Sequence, residues 1–287
     1  MKFSLNTLAS AILICTTFCT NGASSCGEKN TGTVINGFNT WKNSKAVIFN
    51  TPYLNVDADG APNSYLVDGN GLSFTCDGVV AIENGQRVTP DKKEWYKKCQ
   101  AAWQKAKLSG DYSGVAIFGF LKDENNKPIV QGDGDPFPGL AFISTTTIPV
   151  PNTKDGTQKH EVDATTIPYV VLPKLFISKY GVKPGDIAIV YRKATNKYAF
   201  GVYADGGKLG EASVKLHEDI GNNPIIVKDG VKRAERGIDD SIITVVFPGV
   251  TTHPTTDTLK WQEEINKLGN KALVDFGGND QLLACAN

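Results

Sequence analysis

Short apolar runs in quick succession constrain this chain most. Residues 140–144, 169–172, 187–191, 198–203 and 242–247 are each a few residues long and rich in β-branched and aromatic side chains. Turn signals separate them, among them Lys183-Pro184-Gly185 and Thr195-Asn196. Such a rhythm predicts a mainly β (α+β) fold, a small barrel or a sandwich, with a few peripheral helices. The 29 glycines and 14 prolines against one methionine agree with many short elements and argue against a helical bundle. Upstream, 46–49 and 115–121 read as further strands, and 79–82 with the Asn84-Gly85 turn reads as a hairpin. Thr89-Pro90 predicts a helix start with proline at its first position. Trp95, Cys99, Trp103 and Ala106 then fall on one face of that helix, which reads as core packing in preference to a sugar platform. A last helix is expected over 258–268, with Leu259, Ile265 and Leu268 as its apolar contacts and Gly269 as its stop.

The 287 residues suffice for one large domain, and no linker or repeat divides them. A soft internal boundary is placed near residue 130. Lys2 followed by the apolar stretch 8–18 and the small residues 22–25 reads as an export leader over 1–25. The remaining 26–287 is then one exported, soluble domain, and no other stretch is long and apolar enough to span a membrane. Acylation at Cys26 is the competing reading of the leader, weakened because Ala23-Ser24-Ser25 lacks the leading leucine of a lipidation site. Thirty basic and thirty acidic side chains cancel, so no basic excess exists to neutralise phosphates and nucleic acid is not an expected partner. Cys15 and Cys19 depart with the leader. Cys26, Cys76, Cys99 and Cys285 remain, an even number in an exported chain. Of their three pairings, Cys76–Cys99 with Cys26–Cys285 is favoured.

The chemistry is expected in the stretch 198–217. An apolar run ends at Ala204, Asp205 stands where it stops, Gly206-Gly207 turn the chain, and Glu211 follows Gly210. Residues 212–220 have the character of a short helix. Two carboxylates are thereby held at the ends of a tight glycine turn, one way to fix a general acid and a general base at a set separation. A surface turn with two solvated acids is the plainer alternative. Asp57-Ala58-Asp59-Gly60 resembles the first half of a calcium loop, but Leu66 stands where the bidentate acid belongs. A solvated turn or a substrate-facing acidic loop are its other readings. No nucleophile elbow, phosphate loop, dinucleotide fingerprint or zinc motif occurs, and His160, His217 and His253 show no ligand spacing. No metal and no cofactor are expected. Carboxylate chemistry is what remains.

These residues also carry a family likeness. Pro138-Gly-Leu-Ala-Phe-Ile-Ser144-Thr-Thr, the strand segment Ile167-Pro-Tyr-Val-Val-Leu-Pro173, the acid-bearing segment 198–216, Val245-Val-Phe-Pro-Gly249 and the upstream Asp57-Ala-Asp59-Gly-Ala-Pro62 occur in one order. In this the chain resembles the chitosanases of glycoside hydrolase family 75 over roughly 55–250. The resemblance implies a secreted, monomeric endo-chitosanase. It would hydrolyse β-1,4 bonds between glucosamine units with inversion, by paired carboxylates. Asp205 and Glu211 take the catalytic positions, with Asp205 as general acid and Glu211 as base, or the reverse. Asp57, Asp59, Asp68 and Tyr203 are expected to bind the amino-sugar polymer. One departure matters: the connection between the two acids is only Gly-Gly-Lys-Leu-Gly here, and Gly206 replaces a threonine. Two alternatives therefore stand beside the enzyme, a carbohydrate-binding protein of the same fold and a lytic enzyme acting on peptidoglycan. By fold-level analogy the barrel is expected to be a six-stranded double-psi barrel.

Overall fold

The computed structural model describes residues 26–286 apart from 28, 30 and 31. The expected leader over 1–25, with Cys15 and Cys19, lies outside the described residues. Strands β1 (Thr33–Ile35), β2 (Phe38–Lys42), β3 (Val47–Thr51) and β4 (Asn55–Asp57) come first. β5 (Val79–Glu83), β6 (Gln86–Arg87), helix α1 (Trp95–Ser109) and β7 (Val115–Ile117) follow. The middle of the chain holds β8 (Tyr169–Val171), α2 (Lys174–Tyr180), β9 (Asp186–Arg192), β10 (Lys197–Asp205), β11 (Glu211–Ser213) and α3 (Val214–Asp219). β12 (Ile225–Lys228), β13 (Val231–Ala234), β14 (Ile242–Thr251), α4 (Thr258–Phe276) and α5 (Gly278–Ala286) complete it.

The fold is mainly β. One curled nine-stranded sheet runs β1-β2-β3-β14-β9-β10-β8-β11-β4. Its hydrogen-bonded order ends at β1 and β4, an open half-barrel where six closed strands were expected. The central strands are covered on both faces: Ile187, Ala188, Ile189 and Val190 of β9 are all fully buried, which is why they read as an unbroken apolar run rather than an alternating one. Most ladders are antiparallel. The two exceptions, β10 with β8 and β11 with β4, lie together at the acidic end of the sheet.

A smaller sheet, β6-β5-β7, packs under α1 and has its own core. The aromatic stripe read from the sequence belongs to that core: Cys99, Trp103 and Ala106 are buried. The helix itself begins at Trp95, not at Thr89-Pro90. Glu94 adopts a left-handed conformation, φ +59°, and a helix cannot run through it. Residues 140–144 pair only through single bridges to Leu66, Phe120 and Val130 and form no ladder strand.

At the C-terminal end, Gly269 does not stop the helix. It lies inside α4, where a β-carbon would sit 2.4 Å from Cγ of Phe200. The glycine is there for close approach of α4 to β10, and the helix runs on to Gly277. Leu259, expected as a contact, is 71 % exposed. Both favoured disulfides are present, Cys26–Cys285 and Cys76–Cys99. The Cys26 sulfur is therefore occupied by Cys285, which corrects the acylation alternative. No helix among the described residues is long and apolar enough to cross a membrane.

Candidate active site

Ladder register places the acids. Paired residues share a face and successive residues alternate. In β11 and β4, Glu211 stands opposite Asn55 and Ser213 opposite Asp57, so these four side chains share one face. Ala212 pairs with Val170, which puts Tyr169 and Val171 of β8 on that same face. The β10–β8 ladder then shifts: Tyr203 pairs with Val170, but Asp205 pairs with Val171. This irregularity moves Asp205 onto the face that carries Tyr169, Glu211 and Asp57, and leaves Tyr203 on the other. One residue without the shift would face the wrong way.

The result is a centre of three carboxyls. Oxygens of Asp57, Asp59 and Asp205 all lie within 4.8 Å of one another. Asp205 is 8 % exposed. Its Oδ1 accepts from the backbone N–H of Thr147 at 2.8 Å and from the Thr147 hydroxyl at 2.9 Å. Asp59 Oδ1 accepts from the Tyr65 hydroxyl at 2.8 Å, and its own N–H donates to Asp57 Oδ1 at 2.8 Å. The Tyr169 hydroxyl donates to the Asp59 carbonyl at 2.8 Å. Burial pushes the Asp57 carboxyl up to about 7, with the Asp205 charge adding to it. Burial raises Asp205 to about 6, held lower by donors from Gly206 and Thr147. Asp59 is raised well above the usual carboxylate range, first by burial and then by its two neighbours. The Asp57 and Asp205 carboxyls lie close enough that protonation of one governs that of the other. Like charges this close cannot all ionise, so the centre retains protons near neutral pH.

Glu211 sits beside this centre. It was expected just ahead of the short helix; it lies instead in β11, and the helix starts at Val214 with Ser213 as its cap. Its Oε2 accepts from the Lys208 N–H at 3.1 Å within the Gly-Gly-Lys-Leu-Gly turn. Burial raises its carboxyl and the Asp57 charge adds to the rise. Beneath β4, buried His217 contacts the Asn55 carbonyl through Nε2 at 3.0 Å and Asn222 through Nδ1. Burial drops it to about 4, so it is a neutral support of the strand.

The other expected binding residues lie elsewhere. Asp68 is exposed and folds back on Asn70 in a surface turn. Tyr203 is 2 % exposed and its hydroxyl is pushed up to about 12, so it presents no open ring to a sugar. Residues that sequence reasoning passed over include Thr147, Tyr65, Tyr169 and Glu161, whose carboxyl accepts from the Thr146 N–H at 2.7 Å. Tyr169 lay within a quoted motif, and Thr147 one residue beyond another. An oxygen-only triad suits a hard cation, but the same packing raises the proton affinity of every oxygen in it. Its chemistry is that of a proton-holding acid with a second carboxyl, Glu211, alongside.

A family model described as fungal chitosanase of glycosyl hydrolase group 75 matches residues 54–279. No curated protein matches the chain.

Proposed function

The chain belongs to the fungal chitosanases of glycosyl hydrolase group 75, a glycoside hydrolase family, and from that premise we propose that it is an exported endo-chitosanase acting with inversion. The leader over 1–25 is removed, and 26–287 works as one catalytic unit on chitosan. The observation that carries the reading is the three-carboxyl centre of Asp57, Asp59 and Asp205 next to Glu211. Glycosidic cleavage needs one protonated and one ionised carboxyl group.

Asp57 and Asp205 are too close to each other to admit a water between acid and base, which takes roughly 6.5–9.5 Å in an inverting enzyme. They therefore act as one unit. The proton shared by the unit is delivered by Asp205 to the glycosidic oxygen, and the departing amine-bearing sugar leaves as an alcohol. Glu211 takes a proton from the attacking water on the other side of the bond. Asp59 stays with the unit, and Glu161 offers charge-assisted hydrogen bonds to glucosamine ammonium groups.

The test is product analysis with soluble, highly deacetylated chitosan. A rapid viscosity drop with α-anomeric products in the first minutes supports the reading. Binding of chitosan without any cleavage sinks it in favour of a binding protein, and cleavage of peptidoglycan alone moves it to a lytic enzyme.

A further inference from the structure

A second concavity, of about 310 Å³, lies between α1 and the 69–76 segment. One wall is a face of α1. Tyr96, Gln100 and Gln104 follow one another at four-residue spacing and so stack along that face, with Trp103 behind them. Phe74 forms the opposite wall. Arg233 of β13 closes the end: its guanidinium lies 4.3 Å over the Phe74 ring and donates to the carbonyls of Gly69, Gly71 and Ser73 at 2.9, 2.7 and 3.1 Å. The Cys76–Cys99 disulfide ties the two walls together with their Cα atoms 6.0 Å apart. Both walls are thus set before any ligand arrives, which lowers the ordering cost of binding.

The cleft differs in chemistry from the acidic centre. Among the described residues, no carboxylate lines it. Its walls offer two primary amides, a phenol and aromatic faces, with a buried cation behind. The nearby acids are already engaged, Asp77 by the Phe74 N–H and Glu235 by Lys228, and a guanidinium closes the cleft, so a glucosamine ammonium is disfavoured. An acetamido sugar fits: its amide can both donate to and accept from Gln100 and Gln104, and its C–H face can lie against the half-exposed Tyr96 ring. The cleft and the centre are built on one core: Tyr65, whose hydroxyl donates to Asp59, packs in the same cluster as Cys76 and Trp103.

We propose that this cleft is a subsite for an N-acetylated glucosamine unit. Partly acetylated chitosan then places a neutral unit here while ammonium-bearing units lie at the carboxylates. The assignment deepens the chitosanase reading and rests on it for the identity of the polymer.

The test is calorimetric binding to the full chain in an Asp205→Asn background, where turnover does not interfere. The probes are the tetramers of N-acetylglucosamine and of glucosamine. Gln100→Ala/Gln104→Ala removes both amides at exposed helix positions that favour alanine, so the fold is kept. The acetylated tetramer should bind, and the double variant should weaken it about tenfold, as loss of two modest hydrogen bonds would. Lys105→Ala, on the same helix but outside the cleft, should not weaken it. In the active protein the double variant should lower kcat/KM on partly acetylated chitosan relative to fully deacetylated chitosan by a similar factor. No binding of the acetylated tetramer, or equal affinity in the double variant, overturns the subsite. If the unsubstituted protein cleaves no chitosan, the chitosanase reading falls on its own, and the binding result still decides the subsite.

Discussion

Asp57 and Asp205 face each other from β4 and β10, two strands that do not neighbour each other in the sheet, with carboxyl oxygens within 4.8 Å. β8 and β11 lie between them. The pair exists only because the sheet curls, and it turns two ordinary acids into one proton-sharing unit. Its consequences are measurable.

The pH profile follows from that unit. Cleavage requires its proton, and its members titrate at about 7 and about 6. The value of kcat/KM on chitosan should therefore fall as pH rises through 6 to 7. A profile flat to pH 9 would remove the pair from the proton-donor role.

Neutral isosteres separate the roles. Asp205→Asn and Glu211→Gln keep shape and remove the titrating group, and each should lower kcat about 10²–10⁴-fold. Chitosan should still bind, since the remaining acids hold it. Initial-rate assays with a binding measurement on the same preparations decide it, and unchanged rates in both variants place the acids elsewhere.

Thr147 is expected to tune the unit. Thr147→Val removes the hydroxyl donor to Asp205 Oδ1 and leaves the backbone donor. The Asp205 carboxyl should rise, and the alkaline limb of the profile should move to higher pH. A change in kcat with an unmoved limb would reduce Thr147 to packing.

Stability should show the cost of the site. The Asp57 carboxyl is raised on folding, so the folded chain binds more protons than the unfolded one between about pH 4 and 7. Stability from this group therefore falls as pH rises through that window. Asp57→Asn should raise Tm at pH 8 and leave it unchanged at pH 3.5. His217 works in the opposite sense: its folded value of about 4 lies below the unfolded one, so it weakens the fold as pH drops from 6.5 to 4. Thermal melts of Asp57→Asn and of a His217→Gln variant across pH 3.5–8 test both signs.

The small core should depend on its bridge. Cys76–Cys99 closes a loop of sequence separation 23, and loss of a bridge of that size costs about 3 kcal/mol. Cys76→Ala/Cys99→Ala should lower Tm measurably, and an unchanged melting curve would mean α1 is held by packing alone.

Much of this was legible in the chain. The apolar runs at 187–191 and 242–247 became β9 and β14, and Asp205 does stand at the end of β10 ahead of two glycines. What escaped reading was set by distance in space rather than in sequence. The register shift between Tyr203 and Asp205 cannot be seen in an alternating pattern, yet it decides which of the two faces the centre. Thr147 and Tyr65 reach their acids from 58 and 6 residues away and carry no local signature. Gly269 looked like a helix stop because a glycine that ends a helix and one that lets Phe200 approach read alike. The Pro90 start signal failed because Glu94 fixes the backbone left-handed a few residues later.

The bridge from Cys26 to Cys285 spans 259 residues of sequence. That spacing sets an order in time. Cys76 and Cys99 can meet while later segments are still being synthesised. Cys26 must wait until residue 285 has been made, so of the two bridges among the described residues this one closes later. A stalled or truncated chain keeps an unmatched thiol at residue 26, a chemical flag by which quality-control machinery or a thiol-reactive probe can tell the incomplete molecule from the finished one.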